Sequence, residues 1–199
     1  MGLQGEGEWA FPELLRRLKA EEDLSDLAGL FLPGSGNKTI RRYPRHLNDL
    51  PWSEAARWLR SGPKGPGLMV PVQTRRGCPM SCSYCSTPVI EGRLVRKCSP
   101  ARAAEAVASY MEAGLDRLFI TDNTFNLPPS YAKDFCRVLI SRGLKPDWHC
   151  IVHPGQLDEE LIELMARAGC TNVSLGFESG SDRILRRLNK RFTQDDILR

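Results

Sequence analysis

The sequence predicts an α/β fold, a partial (β/α) barrel of about four βα units entered through a short N-terminal connector. Two observations carry the prediction. From residue 68 onward, apolar runs of strand length alternate with stretches of helical periodicity, the pattern of parallel βαβ units with right-handed crossovers. Before it, the prolines and glycines of Ser61-Gly62-Pro63-Lys64-Gly65-Pro66-Gly67 mark a boundary that sets residues 1–67 apart from residues 68–199.

The first part is irregular. Pro12 opens a short amphipathic helix with Leu14, Leu15 and Leu18 on one face. Leu30-Phe31-Leu32 and Thr39-Ile40-Arg41-Arg42-Tyr43 flank the turn-rich Pro33-Gly34-Ser35-Gly36-Asn37 and predict a hairpin. After Leu47-Asn48-Asp49-Leu50-Pro51-Trp52 a short helix leads to the boundary. The segment is too short and broken to hold a core of its own.

The second part is regular. Residues 68–74 form the first strand, and residues 75–90 a loop. Pro100 to Glu112 is a helix with Ala103, Ala106, Val107 and Met111 at helical spacing. Strands follow at 117–121, 147–152 and 171–176, and helices at 131–141, 158–168 and 182–188, with Gly169 ending the third helix. A closed eight-stranded barrel takes about 250 residues. Four units in the available length therefore predict an open edge on the fourth strand and a core truncated at its C-terminal end.

Three of the seven cysteines fall in Cys78-Pro79-Met80-Ser81-Cys82-Ser83-Tyr84-Cys85. Gly77, Pro79, Ser81 and Ser83 disfavour a helix here, so the backbone wraps instead, and three short thiol side chains in a wrapped loop imply a metal. Zinc takes four protein ligands, commonly from paired elements separated by a longer insert. An iron-sulfur cluster accepts three cysteines and leaves one iron for another ligand. The alternative reading is a zinc or iron-sulfur structural or binding module without catalysis, and as a zinc site it needs Cys98 or a histidine as its fourth ligand.

Cys78-x-x-x-Cys82-x-Tyr84-Cys85 resembles the signature loop of the radical S-adenosylmethionine (SAM) superfamily, including the aromatic residue before the third cysteine. The resemblance implies that Cys78, Cys82 and Cys85 hold a 4Fe-4S cluster, that SAM chelates the remaining iron, and that electron transfer cleaves SAM to a 5′-deoxyadenosyl radical. Hydrogen abstraction or methyl transfer would follow. It extends to two further strand ends, Thr121-Asp122-Asn123 and Gly176-Phe177-Glu178-Ser179-Gly180-Ser181. By that likeness Asp122 and Asn123 hold the methionine end of SAM, Glu178 and Ser179 face its ribose or carboxylate, and Tyr84 lies near the adenine. The plainer alternatives are turn or cap roles for Asp122 and Asn123 and a helix start for Glu178 and Ser179. The order of Gly5-Glu6-Gly7-Glu8, hairpin and Leu50-Pro51 linker resembles the connector after a cobalamin-binding domain. Cobalamin would then belong only to a longer parent protein. No residue names a catalytic group or the substrate, a small molecule or an RNA, and the implied reductant is an electron donor such as flavodoxin or ferredoxin.

Composition narrows the setting. No apolar run reaches membrane-spanning length, and the acidic, glycine-rich start does not resemble a secretory signal. An odd number of cysteines with a tight triplet fits a reducing compartment, the cytoplasm, better than a disulfide framework. A net charge of +4 does not call for nucleic acid. Arg183, Arg186, Arg187, Lys190 and Arg191 read as a solvated helix face. Cys98, Cys136, Cys150 and Cys170 read as small buried hydrophobes and His149 and His153 as structural, while Arg75 and Arg76 are placed to balance a cluster or line its site.

Overall fold

The computed structural model describes residues 1–34, 43–52 and 68–199. The second arm of the expected hairpin at 39–42 and the short helix before the boundary lie outside the described residues. In the N-terminal part, β1 (Gly2–Leu3) pairs antiparallel with β2 (Leu30–Phe31), and α1 (Gly7–Lys19) lies between them. The helix starts five residues before Pro12, which therefore lies inside it, in the second turn, where its missing N–H removes one internal helical bond. A 3-10 turn covers Leu47–Asp49.

The regular part follows the sequence closely. β3 (Val70–Val72) enters the cysteine loop. Two residues later comes a feature the sequence did not announce, an antiparallel ribbon of β4 (Arg75–Arg76) and β5 (Arg96–Lys97) that closes the base of that loop. A single turn, α2 (Thr87–Ile90), lies within it. Then α3 (Pro100–Glu112), β6 (Arg117–Ile120), α4 (Pro129–Ser141), β7 (Asp147–Val152), α5 (Glu159–Arg167), β8 (Cys170–Leu175), α6 (Asp182–Arg187) and α7 (Gln194–Leu198) complete the chain. Ser99 and Asp158 cap α3 and α5 by accepting from the backbone N–H three residues on.

The four main strands are parallel in the order β3-β6-β7-β8. Each new strand adds on the same side of the last, so right-handed crossovers put the connecting helices on one face, as at the start of a barrel. Among the described residues the sheet is open. Burial follows from this layout. Along β7, Trp148, Cys150 and Val152 are buried beneath the helices, while Asp147, His149 and Ile151 are only half-covered on the inner face. Parallel strands buried on both faces show no such alternation. Phe125, Phe135 and Trp148 form the centre of the covered side, with ring centroids 5.0 to 6.4 Å apart, and the Trp148 indole N–H donates to the Ala168 carbonyl at 3.0 Å. At the free edge, β8 is largely exposed.

Candidate active site

The cysteine loop begins at a glycine that nothing else can replace. Gly77 has φ of +90°, and a Cβ there would lie 2.2 Å from the Leu94 carbonyl oxygen. Its N–H donates to Glu91 Oε2 at 2.8 Å, and the next N–H, of Cys78, donates to the Gly92 carbonyl at 3.1 Å. The loop is thereby folded back against the stretch that returns to β5. Its cysteines lie outside any helix, as the glycine, proline and serines require.

The other side of the loop is held by the end of α6. This helix stops in a Schellman motif: Lys190 N–H donates to the Leu185 carbonyl, Asn189 N–H donates to the Arg186 carbonyl, and Asn189 takes the left-handed conformation at φ of 55°. The reversal aims the Asn189 side-chain amide at the loop, where it donates to the Ser81 carbonyl at 2.7 Å, while Ser83 N–H donates to the Leu188 carbonyl at 3.1 Å. One residue thus ends a helix and fixes the loop just before the second cysteine.

Cys78, Cys82 and Cys85 line a single cavity of about 250 Å³. Opposite them stand Asn123 from the end of β6, His153 from the end of β7, and Glu178 and Lys190 from the segments after β8. The Asn123 amide donates to Glu91 Oε2 at 2.6 Å, the acceptor that also takes Gly77 N–H, and its carbonyl oxygen accepts from the Thr87 hydroxyl over a long 3.5 Å, with a second lone pair still open. Tyr84 O–H donates to Glu178 Oε1 at 2.8 Å, and Glu178 holds a left-handed backbone at φ of 67°. Non-glycine residues adopt such a conformation rarely and often at functional sites. Lys190 Nζ donates to the Gly176 carbonyl at 2.8 Å, lies 3.6 Å from Glu178 Oε1, and rests over the rings of Tyr84 and Phe192.

Electrostatics in the cavity follow from its burial. The Cys78 thiol is pushed up by desolvation, and Cys85 and Cys82 beside it add to the effect. Burial alone would lower Lys190, yet Tyr84 and the acidic groups near it hold its ammonium above the ordinary lysine value. Burial, reinforced by Lys190, pushes His153 down, and its Nδ1 is buried without a partner among the described residues.

The donor set separates the two metal readings. Among the described residues no three His, Cys, Asp or Glu side chains are arranged to hold a single metal ion. The three thiols nevertheless share one cavity, as ligation at separate corners of a cluster requires. Comparison with known proteins decides the family, since the model of the radical SAM superfamily matches residues 72–199. The chain belongs to that superfamily. An uncharacterized methyltransferase of Pyrococcus horikoshii is 29% identical over 196 residues, covering 96% of this chain and 43% of that protein. The bacteriochlorophyllide d C-12(1)-methyltransferase of Chlorobaculum tepidum is 30% identical over 131 residues, 61% of this chain and 27% of that one. In fold, the chain matches the radical SAM methyltransferase TsrM of Kitasatospora setae with a TM-score of 0.77 and 21% identity, over 98% of this chain and 41% of that one. TsrM has been solved with tryptophan and a SAM analogue, and with cobalamin and a [4Fe-4S] cluster. The chain spans less than half the length of each of these relatives.

Several expected site residues stand elsewhere in this radical SAM chain. Asp122 is 1% exposed, and its carboxylate accepts from Thr74 N–H and O–H at 2.6 Å each and from Arg75 N–H and Nε at 2.9 Å each. A carboxylate so occupied holds the ends of β3 and β6 together and does not face the cavity. The reason is strand alternation: Leu118, Ile120 and Asp122 point to the covered side, Phe119, Thr121 and Asn123 to the inner side. Arg75, buried against Asp122 and donating to the Phe125 and Leu127 carbonyls, is structural too. Ser179 accepts from Ser181 N–H at 3.1 Å in the turn before α6 and is not a cavity wall. Cys98 lies 3.4 Å from the Thr74 carbonyl and 3.6 Å from the Tyr131 hydroxyl, in a separate pocket from the triplet, which removes it as a fourth ligand. His153, set down as structural, lines the cavity with an unmet ring nitrogen. Lys190, set down as solvated, has a side chain only 6% exposed.

Proposed function

We propose that this chain is the core of a radical SAM enzyme whose outcome is methyl transfer to a small molecule. The observation that carries the reading is the convergence of Cys78, Cys82 and Cys85 on one cavity faced by Asn123, Glu178 and Lys190. When bound there, a 4Fe-4S cluster would supply the electron that cleaves SAM to methionine and a 5′-deoxyadenosyl radical. The chain's own residues bind and orient. The three thiolates would ligate iron, and the carbonyl oxygen of Asn123, held by Glu91 through the amide and only loosely engaged by Thr87, would accept from the SAM ammonium. Tyr84 and the carboxylate of Glu178 flank the adenosyl moiety. Lys190 sets a buried positive charge beside thiolate ligands, which offsets their mutual repulsion.

Residues 1–67 are read as the connector to a cobalamin-binding domain of a longer protein and residues 68–199 as the radical SAM core, in keeping with the cobalamin seen in TsrM. The reductant is a low-potential carrier such as flavodoxin or ferredoxin. All seven cysteines are free thiols and no described helix is long and apolar enough to cross a membrane, so a reducing cytoplasm suits the protein. Anaerobic reconstitution tests the proposal. About four iron and four sulfide per chain are expected, together with 5′-deoxyadenosine on reduction with SAM, and Cys82→Ala should lose both. Retention of one zinc in place of iron would overturn it.

A further inference from the structure

One strongly basic stretch of the chain lies beside the cysteine loop. Residues 182–192 carry five basic side chains against one acidic, a net charge equal to the +4 of all 199 residues. Arg183, Arg186, Arg187 and Arg191 are exposed, and none is ion-paired among the described residues. The sequence alone leaves this stripe as a solvated helix face. Its position in the fold makes it something more, because the same segment grips the cysteine loop: Leu188 receives Ser83 N–H, and Asn189 donates to the Ser81 carbonyl. On the opposite flank an exposed arginine from another part of the chain, Arg93, donates to Ser81 Oγ at 3.1 Å. Ser81 and Ser83 are the immediate neighbours of Cys82. The stretch around this ligand is thus held by Arg93 on one flank and by Leu188 and Asn189, within the arginine-rich segment, on the other, with Ser83 itself exposed.

We propose that this basic rim is the docking face for an acidic one-electron carrier protein, which delivers its electron across the Ser81-Cys82-Ser83 stretch. The proposal rests on the radical SAM reading above and adds to it the surface and the charge of the partner. Complementary charge raises encounter rates between proteins by one to three orders of magnitude and orients them. Here it brings the partner to within one residue of a cluster ligand. An RNA phosphate track is favoured less, because these arginines flank the immediate neighbours of a redox ligand, Ser81 and Ser83. The step is a single outer-sphere transfer: the carrier is oxidised by one electron, the cluster is reduced by one, and no bond is made or broken.

The test uses the full chain with its reconstituted cluster. Cluster reduction is followed by stopped-flow absorbance with reduced flavodoxin, and separately with photoreduced deazaflavin, a small mediator that needs no docking face. Arg186→Glu with Arg187→Glu should slow reduction by flavodoxin about tenfold and flatten its salt dependence, while the deazaflavin rate stays unchanged. Arg186→Lys with Arg187→Lys should keep the flavodoxin rate within about twofold. Equal flavodoxin rates in wild type and charge-reversed variant, or a loss of RNA binding with those rates intact, would overturn the docking face while leaving the cluster reading untouched. A wild-type chain that takes up no cluster removes the reading beneath the proposal and the proposal with it.

Discussion

Asp122 and Asn123 are neighbours in sequence and lie on opposite faces of one sheet, and the two faces do different work. The covered face, with Asp122, Trp148, Cys150 and the aromatic group around Phe125, is dry and fully partnered. The inner face, with His149 and Ile151, is half-covered and leads to a cavity where a ring nitrogen of His153 has no partner among the described residues and the carbonyl of Asn123 is engaged only by a long 3.5 Å contact from Thr87. The first face holds the strands in register, and the second places reactive groups at their carboxyl ends. Polar side chains at a strand end are thus assigned by alternation before chemistry.

Substitutions on the two faces should separate cleanly. Removing the Asp122 carboxylate leaves buried Arg75 uncompensated, so Asp122→Ala should destabilise the chain by about 3–5 kcal/mol in urea unfolding. Loss of SAM affinity at unchanged stability would instead return Asp122 to the site. On the inner face, Asn123→Ala should weaken SAM binding to the reconstituted protein about tenfold, about 1.4 kcal/mol, with an unfolding midpoint close to that of wild type. Asn189→Ala should cost about 1 kcal/mol through its left-handed backbone and release the cysteine loop. Hydrogen exchange should rise at residues 81–83 and stay low in β6 and β7.

The smallest effect concerns the N-terminal part, a third kind of packing. There Trp9 is 55% exposed and few apolar residues are buried. Its attachment to the ribbon runs through Glu6, which accepts from Arg76 at 2.9 Å and from Arg96. Burial works to raise the Glu6 carboxyl, but the two arginines together bring it below the ordinary carboxylate value of 4.5. A depressed folded value means that this stabilisation is present above pH 4.5 and is lost as pH falls through the folded value. Limited proteolysis within α1 should therefore increase below pH 4.5 while the core resists. Equal resistance across that range would show that charge does not hold the connector.

Much of this was legible from residue patterns. The alternation along 147–152, the helical spacing of 100–112 and the cysteine spacing each express one local rule, and each appears in the structure within a residue or two. The misses arose where a local rule stops. The ribbon of Arg75–Arg76 with Arg96–Lys97 has two-residue strands with no apolar alternation to announce them. Lys190 continues the sequence spacing of Arg183 and Arg187, but the helix ends at Arg187 and the left-handed Asn189 turns the next side chain into the cavity. Glu91, which fixes both Gly77 and Asn123, had no signal in the sequence because its partners lie 14 and 32 residues away. For Asn123 over Asp122 the signal was present: it was the period of two from Leu118 onward.

The central claim is that three thiols on one cavity hold a cluster with one iron turned toward SAM. Electron paramagnetic resonance of the anaerobically reduced, reconstituted chain tests it directly. Adding SAM should shift the g-values of the cluster signal in the wild type and less so, at equal concentration, in Asn123→Ala. A reduced cluster whose spectrum is the same with and without SAM would contradict the account.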